Sequence, residues 1–78
     1  MEITVNMLKV IRAVAAHRQI DTAEKLGYSL SYISKVERKE RKLSKQAVLR
    51  VMDAYGLSTE RLEQVRVTAK EYEQKGLL

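Results

Sequence analysis

The chain is 78 residues long, which suits one domain with a small core. It has no cysteine and a single histidine, which excludes disulfides and a cysteine-held zinc, and no metal or cofactor is expected. Its formal net charge is +5, and no apolar run approaches the ~20 residues needed to cross a bilayer.

Apolar residues recur at helical spacing almost throughout, without proline or repeats, and predict an all-α fold. A first helix is expected over Val5–Ala16, with Leu8, Ile11, Val14 and Ala15 inward and Thr4 or Asn6 as the cap. A second is expected over Gln19–Leu26, with Asp21 near its positive end and Gly27 as a left-handed stop. The third is expected over Leu30–Arg38, capped by Ser29, with Ile33 and Val36 inward. After the charged loop Lys39–Leu43, a fourth runs Ser44–Ala54 with Val48, Leu49 and Met52 inward, followed by Tyr55 on the same side and stopped by Gly56. A fifth starts at Ser58 and runs to about Gln74, before Gly76, so that residues 58–75 form a C-terminal helical segment. Each helix is too short to stand alone, so the five must pack as one compact bundle over residues 1–78.

The stretch Ala23–Arg38 is the most informative. Small residues stand where two crossing helices would touch, at Ala23 and Gly27, and serine, tyrosine, lysine and arginine point outward from the third helix. Residues 33–50 hold seven cations (Lys35, Arg38, Lys39, Arg41, Lys42, Lys45, Arg50) against Glu37 and Glu40, so the charge is gathered on one segment. A gathered charge suits a phosphate backbone. The arrangement reads as a helix-turn-helix presenting its second helix to the major groove of double-stranded DNA, with Arg38, Lys39, Arg41 and Lys42 on flanking phosphates. Tyr28 is expected to pack in the core, and the Tyr32 hydroxyl to reach a phosphate.

The residues Leu8-Lys-Val-Ile-Arg12, Gln19 and Thr22–Glu37 resemble the lambda-repressor-like group, which includes the Cro proteins and the xenobiotic-response-element (XRE) regulators. The resemblance covers residues 3–62 and is most specific from Ala23 to Glu37. It implies a five-helix DNA-binding bundle that acts as a homodimer on operator DNA. It implies that Leu30, Ser31 and Lys35 face base edges, and that Tyr32, Ser34 and Arg38 lie beside phosphates. Gln19 would touch a phosphate and brace the third helix, and Arg12 and Glu37 would form an internal salt bridge. Three residues depart from the group. Leu30 stands where a glutamine that reads adenine is common, and suits a thymine methyl instead. Thr22 replaces a core leucine, which predicts looser packing under the second helix. Lys39 replaces a glycine, which predicts a different end to the third helix.

The C-terminal helix carries a stripe of Leu62, Val65, Ala69 and Tyr72. Leu62 is assigned to the core, and Val65, Ala69 and Tyr72 to a homodimer contact. His17 is placed near the end of the first helix, where a positive charge suits the dipole. The chain offers no nucleophile–base pair and no phosphate-cradling glycine loop, so an enzyme is not expected. The start Met1-Glu-Ile-Thr-Val-Asn6 does not read as a leader peptide, and a cytoplasmic protein without a small-molecule ligand is expected. Two function classes remain. One is a sequence-specific transcriptional regulator of repressor or Cro type. The other is a protein-interaction module on the same fold, such as an antirepressor, an antitoxin or a phage-encoded inhibitor.

Overall fold

The helices begin where a side chain satisfies their first amides. In the computed structural model, which describes residues 2–78, α1 (Val5–Val14) follows Thr4, whose Oγ1 accepts from the Met7 amide at 3.2 Å. Ser29, Ser44 and Ser58 cap α3 (Leu30–Glu37), α4 (Lys45–Ala54) and α5 (Thr59–Gln74), each accepting an amide at 3.1 Å. At α2 (Gln19–Leu26) the cap works in reverse, with the Asp21 carboxylate reaching back to the Arg18 amide at 2.8 Å. Gly27 closes α2 at φ 75°. Its amide and that of Tyr28 turn back onto the Glu24 and Ala23 carbonyls.

The caps set lengths, and packing holds the helices. Leu8 of α1, Ile33 and Val36 of α3 and Val51 of α4 are fully buried, with Met7, Val10, Ile11, Ala23, Leu26, Val48 and Leu62 around them. Burying one such aliphatic side chain contributes about 1.5–3 kcal/mol. Helix α1 packs against both α3 and α5, and α2 against α3 and α4. Ala23, small and buried, lets α2 and α3 approach. Gly27 is exposed and serves the turn rather than that contact.

Several expected positions fall elsewhere. Helix α1 stops at Val14, because Ala16 takes a left-handed backbone (φ 57°) and the His17 amide folds back onto the Arg12 carbonyl at 2.9 Å. Val14 is 78% exposed although it lies in the inward arc, because no element covers that end. It borders a shallow groove with Ile11, Ala15, Tyr55, Leu57 and Val65. On α4 the inner face is made by Ala47, Val48 and Val51, which turns Leu49 outward at 62% exposure. On α5, Ala69 is 2% exposed and belongs to the core, and Val65 packs against that core. The Asn6 amide donates to Glu73, tying the ends of α1 and α5. The α5 stripe is therefore mostly spent inside the monomer, and of the three residues assigned to a dimer contact only Tyr72 stays exposed.

Thr22 does not loosen the core. It is fully buried, and its hydroxyl shares a 2.8 Å hydrogen bond with the Tyr55 hydroxyl. That hydroxyl is also bonded to His17 Nδ1 at 3.0 Å. The chain His17–Tyr55–Thr22 thus joins the exit of α1, the end of α4 and the middle of α2. No buried side-chain polar atom among the described residues lacks a partner.

Two non-glycine residues, Ala16 and Lys39, sit at positive φ (57° and 64°). This conformation costs an L-residue roughly 1–2 kcal/mol. Ala16→Gly and Lys39→Gly are each expected to stabilise the fold by about 1 kcal/mol, read as a rise of roughly 4–8 °C in Tm by thermal unfolding. Asp21 gives a pH signature. Hydrogen bonds from the Arg18 side chain, then from its amide, lower the carboxyl from its ordinary 3.8 to about 2. Because the folded value lies below the unfolded one, this contribution is whole above about pH 4 and vanishes as pH falls toward 2. Asp21→Asn should therefore lower Tm at pH 7, and the gap from wild type should close across that interval.

Candidate nucleic-acid interface

The α2–turn–α3 unit owes its rigidity to one buried carboxylate. The Glu37 side chain is only 4% exposed. Arg12 of α1 meets it with two parallel bonds, Nε to Oε2 and Nη2 to Oε1, each 2.8 Å. Gln19 Nε2 of α2 adds a bond to Oε1 at 3.2 Å, and Gln19 Oε1 accepts from Ser34 Oγ of α3 at 2.9 Å. Arg12 Nη1 also donates to the His17 carbonyl at 3.0 Å, fixing the α1–α2 connection. The two-pronged geometry and the extra donors are what a buried charge requires.

With Ile33, Val36 and Glu37 facing in, α3 turns Leu30, Ser31 and Lys35 outward, Leu30 being 43% exposed. Ser34 is different. Its hydroxyl donates to Gln19, so here it serves the brace. The Gln19 amide spends its oxygen and one N–H internally and keeps its second N–H.

Arg38 caps the C-terminal end of α3, and Lys39 reverses the chain, its amide bonding to the Val36 carbonyl and that of Glu40 to the Lys35 carbonyl, both at 2.9 Å. Arg38, Lys39, Arg41 and Lys42 are all exposed on this loop. The Arg38 guanidinium pairs with Glu40 and holds that carboxyl below its ordinary value. Such an exposed pair is weak, so Arg38 exchanges Glu40 for another anion at little cost. Arg41 lies over the Tyr32 ring at 5.2 Å, and the Tyr32 and Tyr28 rings stand 4.8 Å apart. Tyr28 itself is half-buried under Arg50.

The sequence reading paired Arg12 with Glu37, gave Gln19 a bracing place and set Leu30, Ser31 and Lys35 on one outer face, but it put Ser34 beside phosphates rather than against Gln19. It passed over Arg50, which carried no signal beyond its charge. It also passed over the Tyr28–Tyr32 pair, whose first member stands before the cap of α3. No group of histidine, aspartate or glutamate among the described residues is placed to hold a metal, and no described helix is long and apolar enough to cross a membrane.

The family model of the helix-turn-helix domain matches residues 6–65, from the first turn of α1 to the middle of α5. The comparisons with curated proteins and with solved structures gave no match. Both the geometry of α2 and α3 and a match covering most of the chain lead to one conclusion: the protein belongs to the helix-turn-helix domain family.

Proposed function

We propose that this protein is a sequence-specific double-stranded DNA-binding regulator of repressor or Cro type, with α3 as its recognition helix. The observation that carries the reading is the outer face of α3, held from behind by the Arg12–Glu37–Gln19–Ser34 network and flanked by the Arg38–Lys42 loop. Family membership supports DNA binding. Lys35 reads guanine O6 and N7, Leu30 packs on a thymine methyl, and Ser31 contacts a base edge between them. Gln19 through its second N–H, the Tyr32 hydroxyl, Arg38, Lys39, Arg41 and Lys42 hold phosphates and set register. The lambda-repressor-like resemblance adds a homodimer with two recognition helices one helical turn (~34 Å) apart. Of the α5 stripe, Ala69 is buried within the monomer, and Tyr72 stays exposed for such a contact.

The exposed Leu30 favours one second reading, a protein-interaction module on the same fold. Salt separates the two, because phosphate binding weakens steeply as salt rises and an apolar contact does not. The test is selection from a random duplex pool at low and physiological salt. A palindrome with half-sites one turn apart is expected. Binding at low salt with no enriched motif would overturn sequence-specific regulation and favour a protein partner.

Two substitutions divide the roles. Lys35→Ala is expected to relax preference at one base step, narrowing discrimination by about 1–3 kcal/mol in competition binding. Lys42→Ala is expected to weaken every sequence alike and to lower the slope of log K against log salt by about 0.9.

A further inference from the structure

Four side chains form a ladder across the turn and the basic loop. Arg50 of α4 donates from Nη1 to the Leu26 carbonyl, at the end of α2, at 3.1 Å. Its Cζ lies 4.9 Å from the centre of the Tyr28 ring. Tyr28 meets Tyr32 at 4.8 Å between ring centres, tilted by 39°. Arg41 stands over Tyr32 at 5.2 Å. The order Arg50–Tyr28–Tyr32–Arg41 therefore runs from α4, across the turn between α2 and α3, to the loop after α3.

The two ends of the ladder differ in what they are free to do. Arg50, though exposed, is tied to the turn: its guanidinium bonds a helix-end carbonyl, and a Cβ placed on Gly27 would stand 3.5 Å from Nη1. Arg41 is an exposed loop residue whose guanidinium meets the Tyr32 ring and, among the described residues, no carboxylate. A free arginine loses much rotamer freedom when it grips a phosphate, and holding it on an aromatic face before binding removes part of that loss. Guanidinium suits this better than ammonium, because it is planar and stacks while its edge still donates.

We propose that Arg50 is a positioning residue for DNA, acting through Tyr28 and Tyr32 to hold Arg41 ready for a backbone phosphate. The inference rests on the DNA-binding reading above. It deepens that reading by making one phosphate contact depend on a residue of α4 that holds no phosphate of its own.

The slope of log K against log salt counts phosphates, at about 0.9 for each contact to duplex DNA. The full-length chain would be titrated with a short mixed-sequence duplex across a salt series, with Arg41→Ala, Arg50→Ala, Arg50→Lys and the double alanine variant. Thermal unfolding would verify that each is folded, and Tyr28→Leu would replace Arg50→Ala if the latter is not. Each single alanine variant is expected to lower the slope by about 0.9, and the double variant by no more than that. Arg50→Lys should behave like Arg50→Ala, although it keeps the charge. A fall of about 1.8 in the double variant, or rescue by Arg50→Lys, would show Arg50 gripping its own phosphate and overturn the ladder while leaving DNA binding in place. A wild-type chain with no salt-dependent binding would overturn the DNA reading, and the ladder's role with it.

Discussion

The Glu37 carboxylate is the constraint on which the rest of the molecule turns. It is almost wholly withdrawn from water, so it must be met by donors. The donors come from two other helices: Arg12 on α1 and Gln19 on α2. Such a pair adds little net stability over a well-packed apolar contact, but breaking it from one side strands a buried charge at a cost of about 3–5 kcal/mol. Against a total stability of roughly 5–15 kcal/mol for a folded domain, that is enough to make the arrangement of α1, α2 and α3 all-or-none. The ion pair specifies an orientation more than it adds strength.

That orientation decides which residues face out. Helix α3 has only eight residues, just over two turns. Once Ile33, Val36 and Glu37 are committed inward and Ser34 is committed to Gln19, little rotational freedom remains, and Leu30, Ser31 and Lys35 face solvent. A recognition surface of so few residues depends on rigidity. Each base contact proposed for this face would contribute only about 1–3 kcal/mol of discrimination, and an angular error would lose several at once. The cationic loop adds attraction without discrimination, which is why it tolerates exposed, weakly paired side chains such as Arg38.

The features written locally in the chain were the legible ones. Ser29, Ser44 and Ser58 cap the helices they precede, and Gly27 turns left-handed after α2, because these depend on a few adjacent residues. Burial was less legible, because periodicity gives the inward arc of a helix but not how far its cover extends. Val14 lies on that arc beyond its cover. Leu49 was expected inward with Val48 and Met52, while smaller Ala47 and Val51 fill the space. Ala69 was assigned to a partner chain and instead packs in the monomer core. The His17–Tyr55–Thr22 chain left no trace, since its members lie up to 38 positions apart and none is unusual alone.

The ends of the helices show how local conformation and charge compete. Gly27, Gly56 and Gly76 take the left-handed position after their helices without strain, whereas Ala16 and Lys39 take it at a cost. Nothing in the structure explains alanine at 16. At 39 the charge has two uses: it lies at the negative end of α3, and it belongs to the loop proposed to grip phosphate. Glycine would relax the backbone there and remove a cation from the part of the surface where cations are gathered. The strain at Lys39 is therefore best understood as stability given up for positive charge at the end of α3, in a fold whose orientation is already secured by Arg12 and Glu37.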